Sequence, residues 1–120
     1  MHALVVDDSR WMRLFIGDLL GKMAFEVRFA SDGREALACI GLDPPDLVLV
    51  DWKMPVMNGL EFVRAVRADD RLRDVPIMMV TSETSMATVA EALAAGANEY
   101  VMKPFTFEVL REKLALMGFE

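Results

Sequence analysis

Short apolar runs alternate along the chain with longer segments in which apolar residues recur at helical spacing. The short runs are typical of buried strands, and the longer segments are typical of amphipathic helices. This alternation predicts an α/β protein, with a doubly wound five-stranded parallel sheet and five helices on its two faces. The predicted strands are residues 3–6, 25–30, 47–50, 76–80 and 99–102. The predicted helices are approximately residues 9–22, 32–42, 58–68, 84–95 and 106–117.

Polar residues and glycines mark the expected helix ends. A residue whose side chain can accept a hydrogen bond from the first helical turn stands at the start of each helical segment. Gly96 follows an alanine-rich segment where a helix C-cap is expected, and Gly41 is expected to close the second helix. The predicted N-caps are Ser9, Asp32, Asn58, Thr84 and Thr106.

The apolar positions also predict which surfaces are buried. The runs at 47–50 and 76–80 are continuously apolar, which is typical of strands covered on both faces, so we expect them near the centre of the sheet. In the first helix, Leu14 lies nearly opposite the predicted core stripe and Trp11 lies on its flank. The predicted stripe comprises Met12, Phe15, Ile16, Leu19 and Met23.

Composition and charge narrow the functions to consider. The chain has 120 residues, 54% of them hydrophobic and 27% charged, which indicates one globular domain. No apolar run approaches the ~20 residues of a membrane span, and the first residues lack the basic region of a signal peptide, so no membrane insertion is expected. The lone Cys39 cannot form an internal disulfide, which suits a cytoplasmic location. The net charge of −6 argues against direct nucleic-acid binding, and the single histidine, His2, excludes a zinc site built from histidines.

Reactive side chains lie at or just beyond the ends of four predicted strands. In an open α/β sheet, ligands bind at the carboxyl ends of the strands, so residues at those ends are the candidates for a site. Three carboxylates, a hydroxyl and an amine are expected to meet there. The residues at these strand ends are Asp7 and Asp8 after the first strand, Asp51 after the third, Thr81 and Ser82 after the fourth, and Lys103 and Pro104 after the fifth.

Three carboxylates in one crevice repel one another. At ~4 Å, each pair costs about 1 kcal/mol in water and about 4 kcal/mol at an effective dielectric constant of about 20. Lys103 offsets one charge, and the remainder favours a divalent cation with oxygen ligands, for which Mg²⁺ is the natural candidate. Each residue alone has an ordinary explanation as a helix cap, a turn residue or a solvated lysine. Together, at the ends of four strands, they predict a metal site.

The segments that carry these residues resemble the receiver domains of two-component response regulators. They read VVDDS, VLVDWKMPVMNG, MMVTS and YVMKPF, in the order and spacing of that family, and the resemblance covers nearly the whole chain. Within the family, the sequence is similar to the single-domain chemotaxis regulators, including the Asp-Trp at the third strand. The resemblance implies a flavodoxin-like fold with strand order 2-1-3-4-5.

The resemblance also implies a phosphorylation site that depends on Mg²⁺. Asp51 would be the phosphoacceptor, and a sensor histidine kinase would supply the phosphoryl group from a phosphohistidine. Thr81 and Lys103 would hold phosphoryl oxygens, and the peptide bond between Lys103 and Pro104 would be cis. The implied Mg²⁺ ligands are the carboxylates of Asp8 and Asp51, Asp7 through water, and the backbone carbonyl of Lys53.

Signal output is implied on a separate face. Tyr100 matches the switch aromatic of the family, whose ring would fill the space vacated when Thr81 moves toward the phosphoryl group. The face formed by the fourth helix, fifth strand and fifth helix would then change shape for a downstream protein that the sequence does not name. For Met86 and Val89, ordinary helix packing is the alternative. The predicted face comprises Met86, Val89, Tyr100 and Met102.

Two further hypotheses concern the rim of the site. Trp11 and Leu14 lie outside the core stripe, and large exposed apolar residues beside a site predict a docking surface, here for the helical bundle of the kinase. Scattered surface apolar residues are the alternative. Lys53 and Glu83 each follow a reactive strand-end residue by two positions, and they would pair across the opening and slow hydrolysis of the acyl phosphate.

Other functions remain open as alternatives. A flavodoxin-like electron carrier would bind a phosphate at its first loop, where the adjacent aspartates of this chain would repel it. A phosphatase of the haloacid dehalogenase class would carry an Asp-x-Asp motif after the first strand, where this chain has two adjacent aspartates. A degenerate receiver would act as a phosphorylation-independent scaffold.

The chain ends at Glu120, directly after the last predicted helix, so a stand-alone regulator is expected. A receiver cut from a longer regulator or a hybrid kinase is the alternative. The regulator is expected to be a monomer, with a dimer on phosphorylation as the alternative. It is expected to catalyse only its own phosphorylation and slow dephosphorylation, and not to be an enzyme in any other sense.

Overall fold

Strands and helices alternate along the chain in the computed structural model, which describes residues 1–82 and 85–119. All elements predicted above are present, and their ends differ from the predicted ends by at most two residues. The strands are β1 (His2–Val6), β2 (Glu26–Ala30), β3 (Leu47–Asp51), β4 (Ile77–Thr81) and β5 (Glu99–Met102). The helices are α1 (Arg10–Gly21), α2 (Gly33–Leu42), α3 (Gly59–Ala68), α4 (Met86–Ala95) and α5 (Phe107–Leu116).

The strands form one parallel sheet in the order β2-β1-β3-β4-β5, which confirms the predicted doubly wound, flavodoxin-like architecture. The register aligns the carboxyl ends of neighbouring strands. Val6 at the end of β1 lies opposite Val50, and Asp51 at the end of β3 lies opposite Val80. The side chains at the end of each strand are therefore brought to one edge of the sheet.

The sheet separates two layers of hydrophobic core. β3 and β4 are buried over their whole length and occupy interior positions in the sheet, as predicted. Because successive side chains of a strand point to opposite faces, Leu4 packs in the layer under α2, α3 and α4, and Val5 packs in the layer under α1 and α5. Both layers hold the strand ends in fixed positions, which is what a site at the sheet edge requires.

Capping residues define most helix ends as predicted. The predicted polar residues cap α1, α2, α3 and α5, and in each case the side-chain oxygen accepts a hydrogen bond from a backbone N–H of the first turn. The cap of α3 is a capping box in which Asn58 and Glu61 bond to each other's backbone. Gly96 is the C-cap of α4, with φ of 120°, a conformation that favours glycine. The confirmed N-caps are Ser9, Asp32, Asn58 and Thr106.

Two predicted helix ends are wrong. α4 is capped by Ser85 and not by Thr84, which lies outside the described residues. Ser and Thr are both favourable N-caps, so the sequence alone does not determine which of these two adjacent residues caps the helix. Gly41 does not close α2, because the helix continues past it and Asp43 is its C-cap.

α1 packs on β1 and β2 through a stripe close to the predicted one. Ile16 and Leu19 are buried as predicted, and Leu20, which the predicted stripe omitted, is also buried. Met23 lies beyond the end of the helix but still contacts the same core layer. Within the described ranges, no helix combines the length and the apolar character that crossing a membrane requires.

Candidate functional site

Asp7 and Asp8 follow β1, and the structure gives their side chains different surroundings. Asp7 is 1% exposed, and its Oδ1 accepts a hydrogen bond of 2.9 Å from the backbone N–H of Ser9. The guanidinium of Arg13 donates a hydrogen bond of 2.8 Å to the Asp7 carbonyl. Asp8 is exposed and lines an open cavity. The site therefore contains one fixed, buried carboxylate next to one that faces solvent.

Lys103 joins Asp7 to Asp51 across the sheet edge. Its Nζ lies 3.1 Å from Oδ2 of Asp7 and 3.3 Å from Oδ1 of Asp51. Asp51 is the last residue of β3 and is 8% exposed. Burying ionised carboxylates is costly unless they are paired, so the shared ammonium explains in part how two of them are accommodated side by side.

The carboxylates of Asp7, Asp8 and Asp51 form a cluster in which each offers an oxygen within 4.8 Å of the others. Neighbouring exposed acids are common at protein surfaces, but two members of this cluster are buried. One lysine leaves a net negative charge among the three. Oxygen ligands at this spacing suit a hard divalent cation such as Mg²⁺. The residues present therefore fit a bound metal ion.

Burial raises the pKa of Asp51 from 3.8 to about 6. Desolvation is the largest cause, because it disfavours the charged carboxylate, and the negative charge of Asp7 acts in the same direction. The charge of Lys103 and its hydrogen bond lower the pKa, and Asp8 raises it slightly. A carboxylate with this pKa loses its proton more readily when a second positive charge binds beside it.

Thr81 and Lys103 are joined through the backbone at the ends of β4 and β5. Thr81 is the last residue of β4 and is 3% exposed. Its carbonyl accepts a hydrogen bond of 2.8 Å from the backbone N–H of Lys103. The peptide bond between Lys103 and Pro104 is cis. The structure therefore places both residues that the resemblance assigned to phosphoryl oxygens at the same edge as Asp51.

The loop between β3 and α3 forms one wall of an open cavity of about 390 Å³ beside Asp8. The base of the loop is closed where the backbone N–H of Gly59 donates a hydrogen bond of 2.8 Å to the Trp52 carbonyl. A Cβ on Gly59 would overlap the carbonyl oxygen of Asp51, so only glycine lets α3 begin this close to the end of β3. The cavity is lined by Asp8, Trp52, Lys53, Met54 and Asn58.

Several residues that build the site were not predicted from the sequence. Arg13 had no predicted role, and Ser9 and Asn58 were predicted only as helix caps. Arg13 lies one helical turn after Ser9, and this spacing is a signal that could have placed its side chain near the end of β1. No comparable signal points to the cavity wall formed by Met54. The predicted pairing of Lys53 with Glu83 lies outside the described residues, because Glu83 is not among them.

Tyr100 lies in β5 under a charged side chain of α5. The ammonium of Lys113 is 4.3 Å from the centroid of the Tyr100 ring, and Oε1 of Glu99 is 3.5 Å from Lys113 Nζ. Tyr100 is half-buried, packs partly on the core, and lines an apolar groove of about 310 Å³. The predicted output face thus contains a groove in which the tyrosine ring is accessible.

One residue predicted for the output face does not belong to it. Val89 is 8% exposed, because α4 turns Val89 and Ala92, which are three residues apart, toward the interior. The prediction that Val89 faces a partner is therefore wrong, and helix packing, its alternative, is correct. Met86 and Met102 are 81% and 42% exposed and remain at the surface.

Trp11 and Leu14 are exposed on α1, the helix that follows Asp8, as their positions relative to the core stripe predicted. Trp11 is 68% exposed and Leu14 is 55% exposed. The Trp11 ring stacks on Phe15, with centroids 5.4 Å apart and an interplanar angle of 4°. These residues and Asp18 line a shallow, mostly apolar depression.

The fold and the acidic cluster together define a class of protein, and comparison with known proteins identifies it. Residues 3–115 match the response regulator receiver domain family, and the chain belongs to that family. Its curated relatives include chemotaxis proteins. CheY1 of Helicobacter pylori (strain J99) is 46% identical over 119 residues, which cover 98% of this chain and 96% of the relative. CheY of Pseudomonas aeruginosa is 44% identical over 115 residues, which cover 95% of this chain and 93% of the relative.

A solved structure shows the same similarity. The structure of the chemotaxis response regulator CheY4 of Vibrio cholerae matches with a TM-score of 0.90 and 41% sequence identity, over 96% of each chain. The family membership confirms the resemblance drawn from the four sequence segments. It also decides against the flavodoxin-like carrier and the dehalogenase-type phosphatase as the class of this protein.

Proposed function

We propose that this protein is the phosphoacceptor of a two-component system, in which Asp51 receives a phosphoryl group from the phosphohistidine of a sensor histidine kinase. The observation that supports this most strongly is the position of Asp51. Its carboxylate ends a fully buried strand, contacts Lys103 at 3.3 Å and lies within 4.8 Å of two further carboxylates. A rigid strand that presents a carboxylate to a cation site is the arrangement that phosphoryl transfer to aspartate requires.

The acidic cluster and the β3–α3 loop would hold Mg²⁺. Asp8 and Asp51 would bind through their carboxylates and Lys53 through its backbone carbonyl. Both oxygens of Asp7 already accept hydrogen bonds, from Ser9 and from Lys103, which supports a role through water. When bound, Mg²⁺ would offset the negative charge of the carboxylate and the phosphoryl group as they approach each other.

Asp51 is the proposed nucleophile. One of its carboxylate oxygens forms a bond to phosphorus while the bond from phosphorus to the donor imidazole nitrogen breaks, and the imidazole keeps the electron pair. Asp51 must be ionised for this step, and the ammonium of Lys103 favours the ionised form. Lys103 also offers a positive charge to the phosphoryl oxygens, from a position that Asp7 fixes.

Thr81 and Tyr100 are the proposed switch. The Thr81 side chain, buried at the end of β4, would hydrogen-bond to a phosphoryl oxygen on Asp51 and draw the following loop inward. The ring of Tyr100, at the surface under Lys113, would then move into the vacated space. This is a shift between two arrangements of one fold, biased by the new charge.

Two surfaces are proposed to contact partners. Trp11 and Leu14 would dock the kinase, because they are exposed, apolar and lie on α1, the helix that follows Asp8. Met86, Tyr100 and Met102 would present the output face to a downstream protein. The chemistry of the chain would be confined to its own phosphorylation and slow dephosphorylation.

Stopped-flow fluorescence of Trp52 tests this proposal, because Trp52 lines the cavity beside Asp8. Acetyl phosphate is the phosphodonor, and a Trp11→Phe background leaves Trp52 as the only tryptophan. We expect a fluorescence change whose rate rises with the acetyl phosphate concentration when Mg²⁺ is present, and no change in EDTA or in the Asp51→Asn variant. A change of equal amplitude in Asp51→Asn would contradict the proposal. If the fluorescence of the parent protein also did not change, the alternative function, a phosphorylation-independent scaffold, would be favoured.

A further inference from the structure

The β3–α3 loop contacts the start of α2 at Gly33, a residue that has no part in the proposed chemistry. The backbone N–H of Gly33 donates a hydrogen bond of 3.2 Å to the carbonyl of Met57. A Cβ on Gly33 would lie 2.7 Å from Cγ of Met57 and 2.8 Å from the Met57 carbonyl oxygen. Real Cβ atoms do not approach other atoms this closely, so any side chain at this position would displace Met57.

The backbone conformation does not explain why residue 33 is glycine. Gly33 is the first residue of α2, and its φ lies outside the left-handed region. Within a helix, glycine is less favourable than alanine by about 1 kcal/mol. A Cβ on Gly41, in the same helix, would meet no atom within 4 Å. The contact with Met57 is therefore the feature that requires glycine at position 33.

The geometry of the loop determines where a displacement of Met57 would be taken up. At the base of the loop, Gly59 is fixed against Trp52 by a hydrogen bond of 2.8 Å and has no room to move toward the end of β3. The displacement would therefore fall on residues 53–57. Among these, Lys53 and its neighbour Met54 line the cavity beside Asp8.

We propose that Gly33 is a positioning residue for Mg²⁺ binding. Because Gly33 has no side chain, Met57 can pack against the start of α2. This contact sets the position of the β3–α3 loop, and the loop in turn sets the position of the Lys53 carbonyl beside the acidic cluster. This inference rests on the proposed function, since it assigns a role toward the Mg²⁺ that Asp8, Asp51 and Lys53 would hold. It adds α2, which contributes no ligand, to the elements that build the site.

The test compares Gly33→Ala with Gly41→Ala, a matched substitution in the same helix at a position open to solvent. In the Trp11→Phe background, the dissociation constant for Mg²⁺ is measured by Trp52 fluorescence and by calorimetry, and the free energy of unfolding is measured in EDTA. We expect Gly33→Ala to raise the dissociation constant ~10-fold, the effect typical of losing support for a metal ligand. Gly41→Ala should leave it unchanged. A merely structural role would lower the free energy of unfolding of Gly33→Ala but not its Mg²⁺ affinity, and that result would overturn the proposal.

A second pair of variants keeps the proposal testable if Gly33→Ala does not fold. Met57→Ala removes only the overlap with Cγ, whereas the overlaps with the Cβ and the carbonyl oxygen of residue 57 remain when Ala is placed at position 33. We expect the double variant, Gly33→Ala with Met57→Ala, to bind Mg²⁺ more weakly than Met57→Ala alone. Equal dissociation constants in these two variants would overturn the role of Gly33.

Failure of this inference is distinguishable from failure of the proposed function. If the parent protein binds Mg²⁺ and reacts with acetyl phosphate, but Gly33→Ala binds Mg²⁺ equally well, only the role of Gly33 is wrong. If the parent protein does not bind Mg²⁺, the proposed function and the role of Gly33 are both wrong.

Discussion

The ammonium of Lys103 is held 3.1 Å from Oδ2 of Asp7, a carboxylate that is 1% exposed. The two residues are 96 positions apart in the sequence and meet because β1 and β5 end at the same edge of one sheet. Asp7 thereby fixes the lysine within 3.3 Å of Asp51, the residue proposed to be phosphorylated. The buried carboxylate of Asp7 therefore acts on the site by orienting the ammonium of Lys103.

Replacing Lys103 with Met should raise the pKa of Asp51 further in the metal-free protein. Lys103 lowers this pKa through its charge and its hydrogen bond, and an opposite charge at this distance typically lowers a carboxyl pKa by about 1 or more. The measurement is an NMR titration of the aspartate side-chain carboxyl carbons in EDTA. Lys113→Met is the control, because Lys113 pairs with Glu99 on the output face and should leave Asp51 at about 6. An unchanged pKa in Lys103→Met would refute the proposed coupling.

The raised pKa of Asp51 predicts how the stability of the metal-free protein depends on pH. The pKa is about 6 in the folded state and 3.8 as the ordinary value, so between about pH 4 and 6 the folded state binds the proton more tightly than the unfolded state does. Stability is therefore lost as the pH rises through this window. At about 1.4 kcal/mol per pH unit, the loss is at most about 3 kcal/mol.

The Asp51→Asn variant lacks this loss. Urea unfolding in EDTA should show that Asp51→Asn gains stability relative to the parent protein as the pH rises from 4 to 7.5. The difference between the two proteins isolates Asp51 from the other titrating carboxylates. A difference that stays constant over this range would show that Asp51 is not destabilised by its ionisation.

Position 56 offers a separate test of backbone strain next to the site. Val56 has φ of 68° and is the central residue of a tight three-residue turn. The turn is closed by a hydrogen bond of 2.7 Å that the backbone N–H of Met57 donates to the Pro55 carbonyl. A β-branched residue is strained at positive φ, whereas Asn occurs there several-fold more often than most residues. Val56 is 70% exposed, so little packing is lost on substitution. Val56→Asn should raise the free energy of unfolding by about 1 kcal/mol.

Leu42→Asn is the matched control for this substitution. Leu42 is 90% exposed, and its φ lies outside the left-handed region, so the change should stay within about 0.5 kcal/mol. Urea unfolding of both variants in EDTA is the measurement. A loss of stability in Val56→Asn would mean that Val56 makes a favourable contact that outweighs its backbone strain.

The fold was predictable from the sequence because its signals are local. The continuously apolar runs at 47–50 and 76–80 specify interior strands. Because the carboxyl ends of parallel strands meet at one edge of the sheet, Asp51 and Thr81 are then expected in one crevice. The predictions that were wrong also have physical causes. Val89 was misassigned because an alanine-rich helix gives little contrast between its faces, so the packing of α4 on the sheet decides which side is buried.

The details of the site depend on contacts between residues far apart in the sequence. The sequence predicts that Lys103 lies near the acids, but only the packed sheet shows that it bridges Asp7 and Asp51. The close approach of Gly33 to Met57 joins the first residue of α2 to the β3–α3 loop, two segments with no shared sequence motif. Helix ends can also differ by a single residue between equally good caps, as with Ser85 in α4.

The proposed kinase-docking role of Trp11 and Leu14 predicts a loss that depends on the phosphodonor. Trp11→Ala and Leu14→Ala should each slow phosphoryl transfer from a purified histidine kinase that phosphorylates the parent protein, by about 10-fold, which is typical of an interface anchor. The rate with acetyl phosphate should not change, because neither side chain lies in the acidic cluster. Leu116→Ala is the control, since Leu116 is 76% exposed but lies on α5. Equal slowing with both donors would contradict the docking role.

Intact-mass spectrometry tests the central claim most directly. The full chain is incubated with acetyl phosphate, with Mg²⁺ or with EDTA, in parallel with the Asp51→Asn variant. We expect the parent protein to gain the mass of one phosphoryl group only when Mg²⁺ is present, and Asp51→Asn to gain none. No gain in the parent protein, or an equal gain in Asp51→Asn, would contradict the claim that Asp51 is the phosphoacceptor.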